Sequence, residues 1–476
     1  MLEGREISIL NNHELERTLR LDSEFYSKEN LELDKKLKTL NANKLTDYTV
    51  ISDGNHMSIS DYFTEKGIPY YRGGDIYNTF IEQSTNPLYI PRSVFGMKTM
   101  ERSHLKKGDI LMSIVGAIIG NLSLVSTDND ATCSCKLAII RPNNTFSSEY
   151  ILSFLKSKMG QSQIQRFRRG SGQTGFILED FDQLMIPIFS KQFQLKIKSL
   201  FERSILYRSK SKIMYSDIQK LLLENLKLND WLPNKNQVNV KSLSESFLSS
   251  GRIDSEYYQV KYDELERIIK KLPYEKLDEL CLLINHGMQP PYVENGEMRV
   301  FSQKWIKDKE IDYGFIEDEN EPRTSMEFAN ANPDYVCRNH DIVHYSVGAN
   351  IGFCHTYLSD IPMMPGSFIT LIRADESKVN PIYLGVVLNS IVGRLQSEKR
   401  KSGTAQPYIY PKDLKEFLIP ILPSSVQESI AGKIQESFNL KKESKRLLEV
   451  AKEAVEIAIR DNEEEALKYI NEIKKG

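Results

Sequence analysis

The chain has little cysteine: Cys133, Cys135, Cys281, Cys337 and Cys354 are five among 476 residues. An odd, scattered set argues against a disulfide framework and for a reducing compartment. Long apolar runs are missing too. None approaches the roughly 18 residues of a membrane span, and no apolar segment of signal-peptide type follows Met1. A soluble, cytoplasmic protein is therefore expected. An excess of either charge is also lacking, with 63 Lys and Arg against 65 Asp and Glu and a net charge of −2. That balance does not exclude nucleic acid, because an even total can hide a basic face. Hydrophobic residues make up 40% of the chain, enough for extensive cores.

Enzyme signatures are scarce. There is no G-x-x-x-x-G-K-[ST] loop for ATP and no acidic-plus-lysine nuclease cluster. Gln289-Pro290-Pro291-Tyr292 imitates an amino-methyltransferase motif, but its glutamine is one methylene too long. No glycine-rich strand-to-helix turn for S-adenosylmethionine precedes it. Gly170, Gly172 and Gly175 match G-x-G-x-x-G, yet they follow a basic helical stretch where a dinucleotide site needs a strand.

What is present is a repeat. Residues 108–120, GDILMSIVGAIIG, return at 340–352 as HDIVHYSVGANIG. At a shift of 232, Asp109, Ile110, Val115, Gly116, Ala117, Ile119 and Gly120 meet Asp341, Ile342, Val347, Gly348, Ala349, Ile351 and Gly352. The same shift pairs RLDSEFY at 20–26 with RIDSEYY at 252–258. One residue more pairs Gly170 and Gln173 with Gly403 and Gln406, Ile186-Pro187-Ile188 with Ile419-Pro420-Ile421, and Gln194 with Gln427. A unit of about 230 residues has been duplicated in tandem.

Each copy opens with a candidate helix, capped by Asp22 or Ser23 and running through Leu31, Leu33 and Leu37 in the first. In the second, Asp254 or Ser255 caps a helix through Leu265, Ile268 and Ile269. Short apolar runs broken by Gly, Pro and Asn then predict strands, and helical spacing returns at 148–159 and 381–396. Each copy ends in a long amphipathic segment. The first is a helix of about 35 residues; the second runs to Lys474 or breaks near Asp461. Residues 191–227 carry nine Lys and Arg against three Asp and Glu, and residues 427–475 carry ten against eleven. A basic helix beside a near-neutral, glutamate-rich one favours mutual pairing as a coiled coil. The competing expectation is that each lies on its own domain.

Cys337, His340, His344, Cys354 and His355 are close enough for zinc. Their counterparts Leu105, Gly108, Met112, Leu122 and Ser123 offer no ligand, so a metal would be private to the second copy. The duplicated signal is electrostatic. Arg166, Arg168 and Arg169 precede the Gly170–Gln173 turn, with Lys156 and Lys158 upstream; Arg394, Lys399, Arg400 and Lys401 precede the turn ending at Gln406. Basic clusters beside a small-residue loop carrying an amide suit phosphate contacts that position a base-reading glutamine. A second, variable set comprises Tyr70, Tyr71, Arg72 and Asp75 in one copy and Arg299, Ser302, Gln303, Lys304 and Trp305 in the other. It lies between the matched blocks, where two different readouts would sit.

These blocks, their order and their repetition resemble the specificity subunits of Type I restriction-modification enzymes and the related separate specificity chains of Type IIB-like systems. The resemblance spans nearly the whole chain, although 188–191 (IFSK) lacks the family's proline-rich lead and His340 replaces a glycine. It implies an α+β fold: a tandem duplication of a β-rich target-recognition domain plus a long helix, the helices pairing as an antiparallel coiled coil. The domains implied are 1–190 and 252–423 for target recognition, 191–228 and 424–476 for the spacer helices, and 229–251 for a linker. The implied function is non-catalytic recognition of a bipartite site on double-stranded DNA. Two DNA methyltransferase (modification) subunits are the implied partners, with a restriction subunit as an optional third. S-adenosylmethionine, with Mg and ATP as further candidates, would belong to those partners and no cofactor to this chain. A spacer helix of 35 residues would span roughly 50 Å, about one and a half turns of duplex. The alternatives are a coiled-coil scaffold without DNA readout and a diverged DNA methyltransferase or nuclease.

Overall fold

The strands form where β-branched and apolar residues run between turn residues. Ile110–Ser113 and Ile342–Tyr345 are buried along their whole length and sit second from the edge of a four-stranded antiparallel sheet. In the first copy the order is Thr49–Asp53, Leu137–Pro142, Ile110–Ser113, Leu122–Leu124. In the second it is Cys281–His286, Ile369–Ala374, Ile342–Tyr345, Cys354–Thr356. Register repeats with topology: Ile110 faces Ile140 and Met112 faces Ala138, as Ile342 faces Ile372 and His344 faces Thr370. Each copy adds a three-stranded sheet with one antiparallel and one parallel neighbour: Tyr89–Ile90, Ile68–Tyr71, Thr132–Cys133, and Arg323–Thr324, Met298–Phe301, Met363–Pro365.

The structure, a computed structural model, describes residues 9–12, 15, 20–82, 86–143, 146–170, 174–236, 238–403 and 405–473. The chain divides into two compact units, Met1–Arg208 with Lys442–Gly476, and Ser209–Lys441. Among the described residues no helix is long and apolar enough to cross a membrane.

The long segments are helices Lys191–Asn225 and Ser424–Arg460, of 35 and 37 residues. The second breaks at Asp461 and resumes as Glu463–Ile473. Within the first unit, Phe193, Ile197, Leu200 and Phe201 share a core with Leu447, Val450, Ala451, Ala454, Val455 and Ala458. In the second, Ile218, Leu222 and Leu226 share one with Ile430. Paired serines let the helices approach closely: Ser204 Oγ lies 2.8 Å from Ser444 Oγ in the first unit, and Ser211 Oγ 2.9 Å from Ser437 Oγ in the second. Ser204 and Ser211 are the repeat counterparts of Ser437 and Ser444, so both units contain the same antiparallel layer.

Two sequence expectations need correction. The opening helices are Lys28–Thr39 and Val260–Ile269, and neither aspartate caps them. Ser27 caps the first; Asp22 and Asp254 instead take both carboxylate bonds of Arg20 and Arg252. The helices expected at 148–159 and 381–396 are each two, Ser148–Lys156 with Lys158–Arg166, and Pro381–Asn389 with Ile391–Arg400. Extended Ser157 and Ser390 end one helix and cap the next by accepting from Gly160 N and Val392 N. Gly160 and Gly393 permit that sharp joint, since a Cβ at either would collide with the carbonyl of Phe154 or Leu388.

The matched motifs hold each copy together by the same bonds. Asp109 accepts from Arg141 Nε and Nη2, both at 2.7 Å, and from Lys106 N at 2.7 Å; Arg141 Nη2 also reaches His104 O. Asp341 accepts from Arg373 Nε and Nη2 at 2.8 and 2.7 Å and from Arg338 N at 2.8 Å; Arg373 Nη2 reaches Val336 O. Gln194 and Gln427, at the starts of the long helices, receive bonds from Ser147 N and Asn380 N. Tyr150 and Tyr383 donate to the carbonyls of Pro187 and Pro420, both at 2.7 Å.

Candidate nucleic-acid interface

At one end of each four-stranded sheet the chain leaves the Ile110–Ser113 or Ile342–Tyr345 strand into the V-G-A-x-I-G turn. Gly116 and Gly348 take φ of 82° and 114°, and Gly120 and Gly352 take 90° and 95°, a region that L residues enter only with strain. A second loop is pinned against this turn. Gly116 N donates to Thr174 O and Gly348 N to Pro407 O, both at 2.9 Å. That loop is the tip of a hairpin closed by paired backbone bonds between Arg169 and Gly175, and between Ser402 and Tyr408. The base of each hairpin is thus tied twice, to itself and to the V-G-A turn.

The variable sets approach the same turn. A Cβ on Gly73 would lie 3.0 Å from Ile118 Cδ1, which places the 72–75 turn beside the first V-G-A turn. In the second copy the Tyr345 phenol is hydrogen-bonded to Gln303, and a Cβ on Gly348 would lie 3.2 Å from that phenol oxygen. The structure thus gathers three separated segments of each copy at one end of its sheet.

The candidate side chains divide by what already holds them. Arg166 is inward: it donates to Phe25 O at 2.9 Å, pairs with Asp34 at 2.7 Å and stacks on Phe25. Arg169 pairs with buried Asp180, whose carboxyl is pushed up by burial against the pull of Arg169. Lys399 pairs with Glu266 at 3.5 Å and lies over Tyr257, burial pushing its ammonium down. Arg400 donates to Glu416 O. Asp75 is buried and accepts from Arg72 N at 2.7 Å, so it shapes its turn. Tyr71 packs on an apolar cluster, and burial with Asp75 and Glu82 nearby pushes its phenol up to about 12. Arg299 donates to Asp318 O, Lys304 pairs with buried Glu321 over the Trp305 ring, and Ser302 Oγ is buried.

The outward set is smaller. Among the described residues Arg168 reaches only neutral partners, Gln165 Oε1 at 2.6 Å and Thr174 Oγ1 at 3.2 Å. Arg72 is exposed and Lys401 half-buried, and among the described residues neither meets a carboxylate. Gln406 is exposed at its hairpin tip; Gln173 lies outside the described residues. Three cations that meet no counter-charge among the described residues, with the exposed amide of Gln406, can hold phosphate oxygens and bond a base edge.

The residues whose spacing imitates a zinc site in the second copy are held by other partners. His344 lies between Ser346 Oγ and Ser397 Oγ, and His355 Nε2 bonds Lys307 O. Among the described residues no group of three or more His, Cys, Asp and Glu is arranged for a metal.

No protein-family model matches the sequence, and no curated protein does. Among solved structures the chain is similar to the Type I restriction-modification system S subunit from M. genitalium. Identity is 14%, the match covers 90% of this chain and 95% of that one, and the TM-score is 0.41. The resemblance is to S subunits. The HsdS subunit from Thermoanaerobacter tengcongensis matches over 88% of this chain and 96% of its own at 17% identity, with a TM-score of 0.28. A chain from a study of type I R-M complex assembly matches over 88% and 97% at 16% identity, with a TM-score of 0.28.

Sequence reasoning passed over Ile118 and Asn350. They occupy the exposed tip of the V-G-A turn and are the single difference between VGAIIG and VGANIG. A mismatch enclosed by identity was the available signal.

Proposed function

We propose that the chain is a non-catalytic subunit that reads DNA sequence in a restriction-modification complex. Residues 1–190 and 252–423 serve as target-recognition domains, each taking one half of a bipartite duplex site. The long helices and their neighbours dock methyltransferase subunits, and S-adenosylmethionine, Mg and ATP act on those partners. The observation that carries this reading is a surface built twice on one framework, with turns, hairpin and glycine conformations matched and the exposed tips different. Arg72, Arg168 and Lys401 hold phosphates, while Ile118, Asn350, Gln173 and Gln406 face the bases. Arg166, Arg169, Lys399 and Asp75 set the loops from behind.

Methylome sequencing of cells carrying a methyltransferase encoded beside this gene, with and without the chain, tests the reading. A split motif methylated only with the chain present is the expected result. Identical methylation in both strains would count against it. For DNA binding by the assembled complex, Arg168→Ala and Lys401→Ala should each lower the slope of log K against log salt by about 0.9 and leave the preferred sequence unchanged. An unchanged slope removes both residues from the interface.

A further inference from the structure

The second copy holds a cavity of about 280 Å³ between helices Val260–Ile269 and Ile391–Arg400 and the strand pair Tyr274–Lys276 and Leu418–Pro420. Its frame is common to both copies. Lys399 pairs with Glu266 as Arg166 pairs with Asp34. Gln396 exchanges bonds with the backbone of Leu418 at 3.0 and 2.7 Å, as Gln163 does with that of Met185 at 2.9 and 2.7 Å. Lys276 faces Leu418 across the strand pair, as Lys44 faces Met185. What fills the frame differs. Phe167, buried in the first copy with its ring 5.3 Å from that of Phe25, is replaced by Arg400, and Asn30 and Ala42 by Tyr262 and Tyr274.

Packing does not account for Arg400. Four cations line the cavity, Lys270, Lys276, Lys399 and Arg400, against two carboxylates, Glu266 and Glu416. Lys270 and Lys399 pair with Glu266, and Lys276 pairs with Glu416. Among the described residues Arg400 meets no carboxylate: its Nη2 donates to Glu416 O at 3.2 Å, and its buried Nε has no acceptor. A buried N–H left unpaired costs more than a paired one returns, so a guanidinium in this state calls for an anion. Burial pushes the Lys399 ammonium down, Glu266 opposes that push and Arg400 adds to it. The excess positive charge is therefore felt inside the cavity.

Charge and walls together select the ligand. An excess of two positive charges matches a phosphate monoester, which carries about −1.5 to −2 at neutral pH, whereas a carboxylate supplies little more than half of that. Leu265, Ile269, Leu395 and Leu418 suit an apolar or aromatic body on the phosphate. A nucleic-acid backbone, charged at every step, would leave those walls unused.

We infer that this cavity binds a small phosphate monoester with an apolar or aromatic body, Arg400 holding the phosphate with Lys270 and Lys276, and that the site is private to the second copy. The inference goes beyond the DNA reading and stands without it. Isothermal titration of the full chain with adenosine monophosphate, inorganic phosphate and adenosine tests it. Adenosine monophosphate should bind at one site per chain, and each of the other two about tenfold more weakly or worse. Arg400→Phe, which installs the first copy's residue, should weaken it about 30-fold, the effect of losing a charge-assisted hydrogen bond. Lys276→Ala, at an exposed side chain, should weaken it about fivefold and leave thermal unfolding unchanged. Binding undiminished in both variants, or no binding of either phosphate at millimolar concentration, overturns the site and leaves the proposed function standing.

Discussion

Asp341→Ala should destabilise the second unit by about 3–5 kcal/mol, and Asp109→Ala the first by a similar amount, the usual cost of removing one partner from a buried ion pair. Each aspartate is almost wholly buried and accepts three bonds, two from an arginine and one from the backbone N–H of a residue three positions earlier. The alanine variant leaves that N–H and the guanidinium without their acceptor. The arginine also holds the carbonyl of His104 or Val336, so the turn before the central strand loosens with it. Asp341→Asn keeps an acceptor and should cost less. Both tryptophans, Trp231 and Trp305, belong to the second unit, so their fluorescence in a urea titration follows Asp341→Ala and hardly registers Asp109→Ala. A loss under about 1 kcal/mol, the scale of an exposed pair, would mean the pair is effectively solvated.

That aspartate shows what the sequence made legible. The G-D-I and H-D-I blocks marked the repeat and a turn into a central strand, because a strand buried on both faces leaves an unbroken apolar run. The same shift carried into topology, register and the long helices, since each depends on periodicity that a duplicated sequence keeps. The side-chain partners were hidden. Arg141 and Arg373 lie 32 positions from their aspartates, and Asp34, which claims Arg166, lies 132 away. Local charge counting sees a basic cluster there and not the carboxylate that neutralises it. The breaks at Ser157 and Ser390 escaped for a related reason: apolar spacing runs through both helices, and the joint shows only in the close backbone approach that Gly160 and Gly393 permit. His340 replaces the glycine of the first copy yet keeps the same backbone, with φ of 71° against 92° at Gly108. The fold imposes a left-handed residue there at a cost of roughly 1–2 kcal/mol.

Acid should weaken the second unit more than the first, and His344 contributes most, ahead of His355 and His286, whose imidazoles burial also pushes down. The position is Met112 in the first copy, and its surroundings differ in the same sense. Ser346, Thr370 and Ser397, all fully buried around His344, replace Ile114, Ala138 and Ile164 of the first core. His344 bonds Ser346 Oγ at 2.9 Å and Ser397 Oγ at 3.3 Å, and among the described residues no carboxylate bonds it. Burial pushes its imidazole down to about 3, with His286, itself lowered by burial and bonded to Thr370, adding to the shift. The unfolded chain takes up this proton as pH falls through about 6.5, whereas the native chain resists until about 3, so stability is intact above 6.5 and drains between the two. At pH 4.5 the loss from this group is about 2–3 kcal/mol. His344→Met removes the titration, and the three hydroxyls keep partners in Thr370, His286 and backbone carbonyls. Urea titrations followed by tryptophan fluorescence at pH 7.5 and 4.5 should show the variant losing 2–3 kcal/mol less than wild type on acidification. Equal losses in the two proteins would place a charged His344 in the native core and void the argument from burial.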